Sequence, residues 1–223
     1  MKYEVESGVY NLGFELSLLE KKLFREFEDM LDSKGFRYLS IPSLTRWNSF
    51  ERQGIEDIIK SLSVDHIHNL SGSAEQGILQ YYSDSYVESQ LTYSKNQCFR
   101  HENYGYEGLK RCKEFIKLEQ FCFCLEPDWK NNFELLLFNT TSFLDKYNIK
   151  YRVIDVTEQD LGYHIKKYDI EVKTKQYGWM ETHSCTYFGE EQTKRFGITG
   201  ATHTISNTGI ASPRILIPFI ERM

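Results

Sequence analysis

The sequence predicts an α+β domain in which helices flank one antiparallel or mixed sheet, and three observations carry that expectation. An amphipathic helix stands near the start, strand pairs with alternating polarity follow it, and a second long helix separates one pair from the next. The length of 223 residues and an aromatic content of 15% suit a single domain over 1–223 with a substantial core. Lys+Arg 27 against Asp+Glu 32 leaves a net charge of −5, which argues against a protein that grips nucleic acid mainly by neutralising phosphates. No apolar run approaches the roughly 20 residues needed to span a bilayer, and the start MKYEVESG lacks the apolar stretch of a signal peptide. A cytoplasmic protein with no membrane partner is expected.

The first helix follows from Leu16, Leu19, Leu23, Phe27 and Met30, which recur at spacings of three and four with charged residues between them, and it should stop at Gly35. Phe36 to Ile41 reads as a strand that Pro42 ends, because proline has no N–H for a continuing ladder. Ile55 to Leu62 looks like a short helix. From Leu91 to Leu125 two strands flank a polar turn, Asn103 to Gly108, whose two glycines suit a hairpin. A helix from about Trp129 to Tyr147 leads to the strand Tyr151–Val156, and Ile165–Val172 with Tyr177–Cys185 form another strand pair. Thr202–Ser206 is strand-like and leads through Asn207-Thr208-Gly209 to a terminal helix, with Ser212 as its cap and Pro213 at its first position.

Five cysteines at uneven spacing make no disulfide framework, and Cys122 with Cys124, two apart in a strand, point to one face and should pack as buried thiols. In the second hairpin strand Arg111, Lys113, Phe115, Lys117, Glu119, Phe121 and Phe123 share the opposite face. With Arg100 and Glu102 on the partner strand, that face offers guanidinium forks for phosphate, a ring for a purine and carboxylates for an ammonium group. The same pattern also describes a solvated sheet face with cross-strand ion pairs. Spacing alone leaves both readings open.

Phe99-Arg100-His101-Glu102, then Gly108-Leu109-Lys110-Arg111 and Phe115 to Glu119, resemble the second signature motif of class II aminoacyl-tRNA synthetases in its seryl form. Gly35-Phe36 to Ile41-Pro42 after the long helix is similar to the first motif, and Thr208 to Arg214 followed by a helix ending in Glu221 to the third. Ser73-Ala74-Glu75 resembles the Thr-x-Glu loop of seryl enzymes, and Glu181 to Ser184 their Glu-x-x-Ser segment. Ser206-Asn207 stands where the family usually has Asn-Gly, and Tyr177 to Glu181 also looks like the Gly-Trp-x-Glu of glycyl enzymes.

The resemblance implies a catalytic core that binds ATP with Mg²⁺ and a small amino acid, namely serine, glycine or alanine. Arg100 would hold the α-phosphate and the amino-acid carboxylate, and Arg214 the γ-phosphate, with Phe115 beneath the adenine and Glu102 at its amino group. Arg111 would lie near the outer phosphates, and Glu181, with Ser184, would hold the Mg²⁺-bound triphosphate. Strict alternation puts Glu181 and Ser184 on opposite faces unless the strand is bulged. Ser73 and Glu75 would receive the α-ammonium, with Glu119 and Thr208 at the side chain. Zinc is not expected, because Ser73 and Thr208 stand where zinc-dependent relatives carry ligands. Ser73 could equally be a helix cap, and His183 and His203 structural histidines.

The resemblance also implies a homodimer through the first helix and Pro42. The chain begins almost at the first motif, so the coiled-coil arm with which seryl enzymes hold tRNA is expected to be missing. Three functions fit: an ATP-dependent ligase forming an aminoacyl adenylate for a carrier-protein thiol, tRNA or another acceptor, a seryl-tRNA ligase core working with a separate RNA-binding partner, and a non-catalytic paralogue with a regulatory role.

Overall fold

The computed structural model describes residues 2–53, 62–101, 105–159 and 162–222. The short helix expected over Ile55–Leu62 falls almost wholly outside them, and so does the candidate Glu102 with its neighbours Asn103 and Tyr104.

In chain order, a small hairpin of β1 (Tyr3–Glu6) and β2 (Val9–Leu12) precedes α1 (Phe14–Ser33). Then come β3 (Arg37–Tyr38), β4 (Leu44–Arg46), α2 (Trp47–Gln53), β5 (His68–Leu70), α3 (Ala74–Tyr81) and β6 (Tyr86–Val87). The hairpin strands are β7 (Gln90–Phe99) and β8 (Glu114–Cys124), and α4 (Trp129–Lys146) follows. The rest comprises β9 (Tyr151–Asp155), β10 (Lys166–Thr174), β11 (Gly178–Gly189), α5 (Glu191–Phe196), β12 (Thr199–Gly200), β13 (His203–Ser212) and α6 (Ile217–Ile220). Seven strands form one sheet in the order β3-β7-β8-β13-β11-β10-β9, with β3 parallel to β7 and every other pair antiparallel. The expected mixed sheet flanked by helices is what forms.

Alternation along the strands sorts the two faces. On the back, Leu118 and Cys122 of β8 and Ile205 of β13 join Leu23 and Phe27 of α1 and Leu136 and Phe143 of α4 in the main core. The rings of Phe27 and Phe143 meet edge to face at 5.0 Å between centroids. On the front, Phe121 and Phe123 pack with Ile78 and Leu79 of α3 and Phe196 of α5 in a second, smaller core. The front stretch from Phe115 to Glu119, with neighbouring parts of β13 and β11, lines a cavity instead. None of the five cysteines is in a disulfide, and all are buried.

Three expected elements differ. The strand Phe36–Ile41 is reduced to Arg37–Tyr38, extended by one bond from the Leu39 N–H to the Tyr93 carbonyl, because only this short stretch runs beside β7. Asn207-Thr208-Gly209 is no turn but the middle of β13, where Gly209 is an extra residue, since Thr208 pairs with Glu119 and Ile210 with Leu118. A Cβ at Gly209 would come within 2.6 Å of the Phe27 ring and 2.8 Å of Leu118, which is why glycine stands there. Ser212 does not cap the last helix, for its hydroxyl donates to Glu20 of α1, and a 3₁₀ turn over Arg214–Leu216 begins after Pro213 without a side-chain cap. Among the described residues no helix is long and apolar enough to cross a membrane.

Candidate active site

The front face of the sheet forms the floor of this cavity, about 380 Å³ in volume. Phe115, Lys117 and Glu119 come from alternate positions of β8, and Ser206, Thr208 and Ala211 from β13 beside it. Glu75 closes one end from the first turn of α3, while Arg100 and Arg214 stand at the other. Of the residues singled out from sequence, Glu75, Arg100, Phe115, Glu119, Glu181, Ser184, Thr208 and Arg214 all line this cavity.

Glu181 and Ser184 share a face despite their odd spacing. Ile170 of β10 pairs with His183, but Glu171 pairs with Glu181, so Thr182 is the extra residue of a bulge that turns both side chains to the cavity. The Ser184 hydroxyl is buried there without a hydrogen-bond partner. A carboxylate and a hydroxyl of this kind fit a hard cation that takes its other ligands from phosphate and water. Among the described residues no group of three or more His, Cys, Asp or Glu side chains could hold a metal by itself.

At the closed end the polar groups bond to one another. Ser73 caps α3, its Oγ accepting from the Glu75 N–H at 3.3 Å, and the same oxygen accepts from Lys117 Nζ at 3.2 Å while donating to Glu119 Oε2 at 3.0 Å. One donor and two acceptor sites are the whole capacity of a hydroxyl. Ser73 is therefore both the helix cap and a neighbour of the cavity, although it is not part of the lining. Lys117 and Glu119 form a buried ion pair. The carboxyl of Glu75 is pushed up to about 7, first by burial and then by the charge of Glu119, against hydrogen bonds that favour its anion.

At the open end the Arg100 N–H donates to the Lys113 carbonyl at 2.9 Å, and its guanidinium lies over the Phe115 ring. Arg214 is aimed by the main chain, Nε donating to the Lys110 carbonyl at 2.8 Å and Nη1 to the Glu181 carbonyl at 3.2 Å. Arg111 is not among the side chains that line the cavity. It closes the turn, its N–H donating to the Glu107 carbonyl, and the side chains that line the cavity on either side of it are Lys110 and Cys112. His183 is wholly buried and its imidazole is pushed down to about 3 by burial, then by the charge of Arg214, so it stays neutral in the fold. Lys117, Lys167, Thr186 and Ser206 also line the cavity without having been singled out. Three follow from period-two alternation, Ser206 being two from Thr208, Thr186 two from Ser184 and Lys117 two from Glu119, while Lys167 comes from β10.

A cavity with guanidinium groups and an aromatic face at one end and paired carboxylates at the other, on an antiparallel sheet, agrees with the family comparison. The model of the class II tRNA synthetase core domain (G, H, P, S and T) matches residues 63–218. The chain belongs to this family. The serine–tRNA ligase of Deinococcus radiodurans is 34% identical to it over 96% of this chain and 56% of its own length. That of Cenarchaeum symbiosum is 29% identical over 95% and 56%. This class II core thus spans a little over half the length of these curated relatives. Among solved structures, seryl-tRNA synthetase from Pyrococcus horikoshii complexed with ATP superposes with a TM-score of 0.88 at 26% identity, covering 96% of this chain and 53% of that one. The cytoplasmic serine-tRNA ligase of Naegleria fowleri in complex with AMP gives 0.86 at 20% identity over 96% and 50%, a likeness of fold.

Proposed function

We propose that this domain joins serine to ATP, forming seryl adenylate and pyrophosphate, and passes the seryl group to tRNA. The observation that carries the reading is the single cavity that runs from Arg214, Arg100 and Phe115 at one end to Glu119 and Glu75 at the other. In the reaction a serine carboxylate oxygen attacks the α-phosphorus, the new P–O bond forms as the bond to the bridging oxygen breaks, and pyrophosphate leaves with that electron pair. Charge builds on the α-phosphate oxygens, and Arg100, which lines the cavity, is the group that would stabilise them. No protein nucleophile is needed, and the domain works by placing two substrates in line.

Phe115 offers its face to the adenine and Arg214 its fork to the outer phosphates, while Glu75 takes the α-ammonium and Ser73, its hydroxyl already fully used, holds Glu119 and Lys117 beside it. Glu119 and Thr208 at the closed end favour an amino acid with a hydroxyl over glycine or alanine, since a buried polar site rejects a substrate that leaves it unpaired. Glu181 and Ser184 would hold Mg²⁺, which would supply positive charge to offset that of the phosphates. The names of the relatives support tRNA as acceptor. Phe14 and Leu18 of α1 and Pro42 are exposed, which supports pairing of two copies through this helix.

Exchange of labelled pyrophosphate into ATP tests the proposal. Serine should drive exchange well above the other nineteen amino acids and Arg100→Ala should abolish it, whereas no exchange with any amino acid would overturn the reading.

A further inference from the structure

Glu75 is held from behind by a side chain that is not part of the cavity lining. Gln192 of α5 is fully buried, its Nε2 donates to Glu75 Oε1 at 2.9 Å, and its Oε1 accepts from the Thr204 hydroxyl at 2.7 Å. Gln53 of α2 donates to the same carboxylate oxygen from the other side at 3.3 Å. Thr204, Ser206 and Thr208 are alternate residues of β13 and share the front face. Ser206 adds a hydrogen bond that favours the Glu75 anion.

An isolated amide could present either its oxygen or its NH₂ to a carboxylate. Here the NH₂ end faces Glu75, as an acceptor-only carboxylate requires, and the Thr204 hydroxyl donates to the oxygen end that is left. Thr204 is wholly buried and has no competing solvent. The contacts from Thr204 to Gln192 and from Gln192 to Glu75 hold the rotamer of this carboxylate and, together with Ser206 and Lys117, favour its anion against burial and the charge of Glu119.

Resting on the assignment of Glu75 to the amino-acid ammonium, we propose that Gln192, oriented by Thr204, is a positioning residue for the amino acid and acts only through Glu75. It touches neither ATP nor the reacting atoms. Losing it should weaken the amino-acid site and leave the nucleotide site as it was.

Gln192→Glu keeps the shape but sets an acceptor against the Glu75 carboxylate. It should raise KM for serine at least tenfold at pH 7.5, leave KM for ATP within twofold, and move upward the pH at which KM for serine falls. Thr204→Val should do the same more weakly, about threefold, and Thr204→Ser should restore wild-type values. A KM for serine within twofold of wild type in both Gln192→Glu and Thr204→Val overturns the proposal, as does a parallel rise for both substrates. Titration of the ¹³C-labelled Glu75 carboxyl gives a readout independent of activity. Its midpoint should rise in Gln192→Glu and in Thr204→Val, and an unchanged midpoint in both overturns the relay. Wild-type protein that shows no exchange with any amino acid but a raised Glu75 midpoint in the variants would instead defeat the functional reading alone.

Discussion

The guanidinium of Arg100 lies 5.3 Å from the centroid of the Phe115 ring, so the residue just beyond β7 and the second residue of β8 form one cation–aromatic unit at the mouth of the cavity. Adenine and α-phosphate stand at the two sides of one ribose, and on the proposed reading this unit supplies a face for the first and a charge for the second. Phe115→Leu should therefore raise KM for ATP by about five- to tenfold, the worth of an aromatic contact of roughly 1–1.5 kcal/mol, while KM for serine stays within twofold. Pyrophosphate exchange at varied ATP and at varied serine separates the two.

Glu75, with its carboxyl raised to about 7, sets a pH dependence at the other end. An ammonium is bound by the anion, whose share grows from about a tenth at pH 6 to about nine tenths at pH 8. KM for serine should fall several-fold across that interval, and Glu75→Gln should raise it throughout and flatten the profile.

The same group bears on stability with the opposite sign. Its folded value lies above the unfolded value of 4.5, so the folded state holds the proton more tightly. The resulting stabilisation is complete below pH 4.5 and is lost as pH rises through about 7. The Tm of the protein without ligand should accordingly decline from pH 5 to pH 8, less so in Glu75→Gln, and serine should raise Tm more at pH 8 than at pH 6. Calorimetry at fixed ionic strength reads all three.

Much of this was legible beforehand, and the parts that were not share a cause. Phe115, Lys117, Glu119, Phe121 and Phe123 show on the page as a period-two series, and the structure puts all five on the front of β8, the first three in the cavity and the last two under α3 and α5. Alternation failed where a strand carries one residue too many. Glu181 and Ser184 looked opposed because Thr182 is invisible as a bulge, and Asn207-Thr208-Gly209 looked like a turn because a glycine inside a strand reads as its end. Ser212 had the chemistry of a cap, but Glu20, nearly two hundred residues away, took its hydroxyl. The hairpin over Tyr3–Leu12 has a half-exposed, polar sequence with little to distinguish it from a loop.

The bulge glycine can be tested directly. Gly209→Ala forces a methyl group against the buried Phe27 ring and Leu118, and should cost about 1–3 kcal/mol, a drop of several degrees in Tm. Denaturant unfolding should show a lower midpoint with an unchanged slope.

Glu181→Gln removes the charge that fits a cation beside the unpartnered Ser184 hydroxyl. The Mg²⁺ concentration that half-saturates exchange should rise at least tenfold, with KM for serine little altered, as a Mg²⁺ titration at fixed ATP would show.

The extra residues Thr182 and Gly209 lie on neighbouring strands, and together they draw a seam across the cavity floor. Side chains on either side of the seam keep separate registers, Ser206 and Ser184 on one side and Ala211 and Glu181 on the other. Deleting either residue would restore strict alternation on its strand, with Glu181 and Ser184, or Thr208 and Ala211, still on one face but closer together along it. The extra residues thus set the spacing of the floor's side chains rather than their facing, and the carboxylate of Glu181 and the hydroxyl of Ser184 meet across the seam.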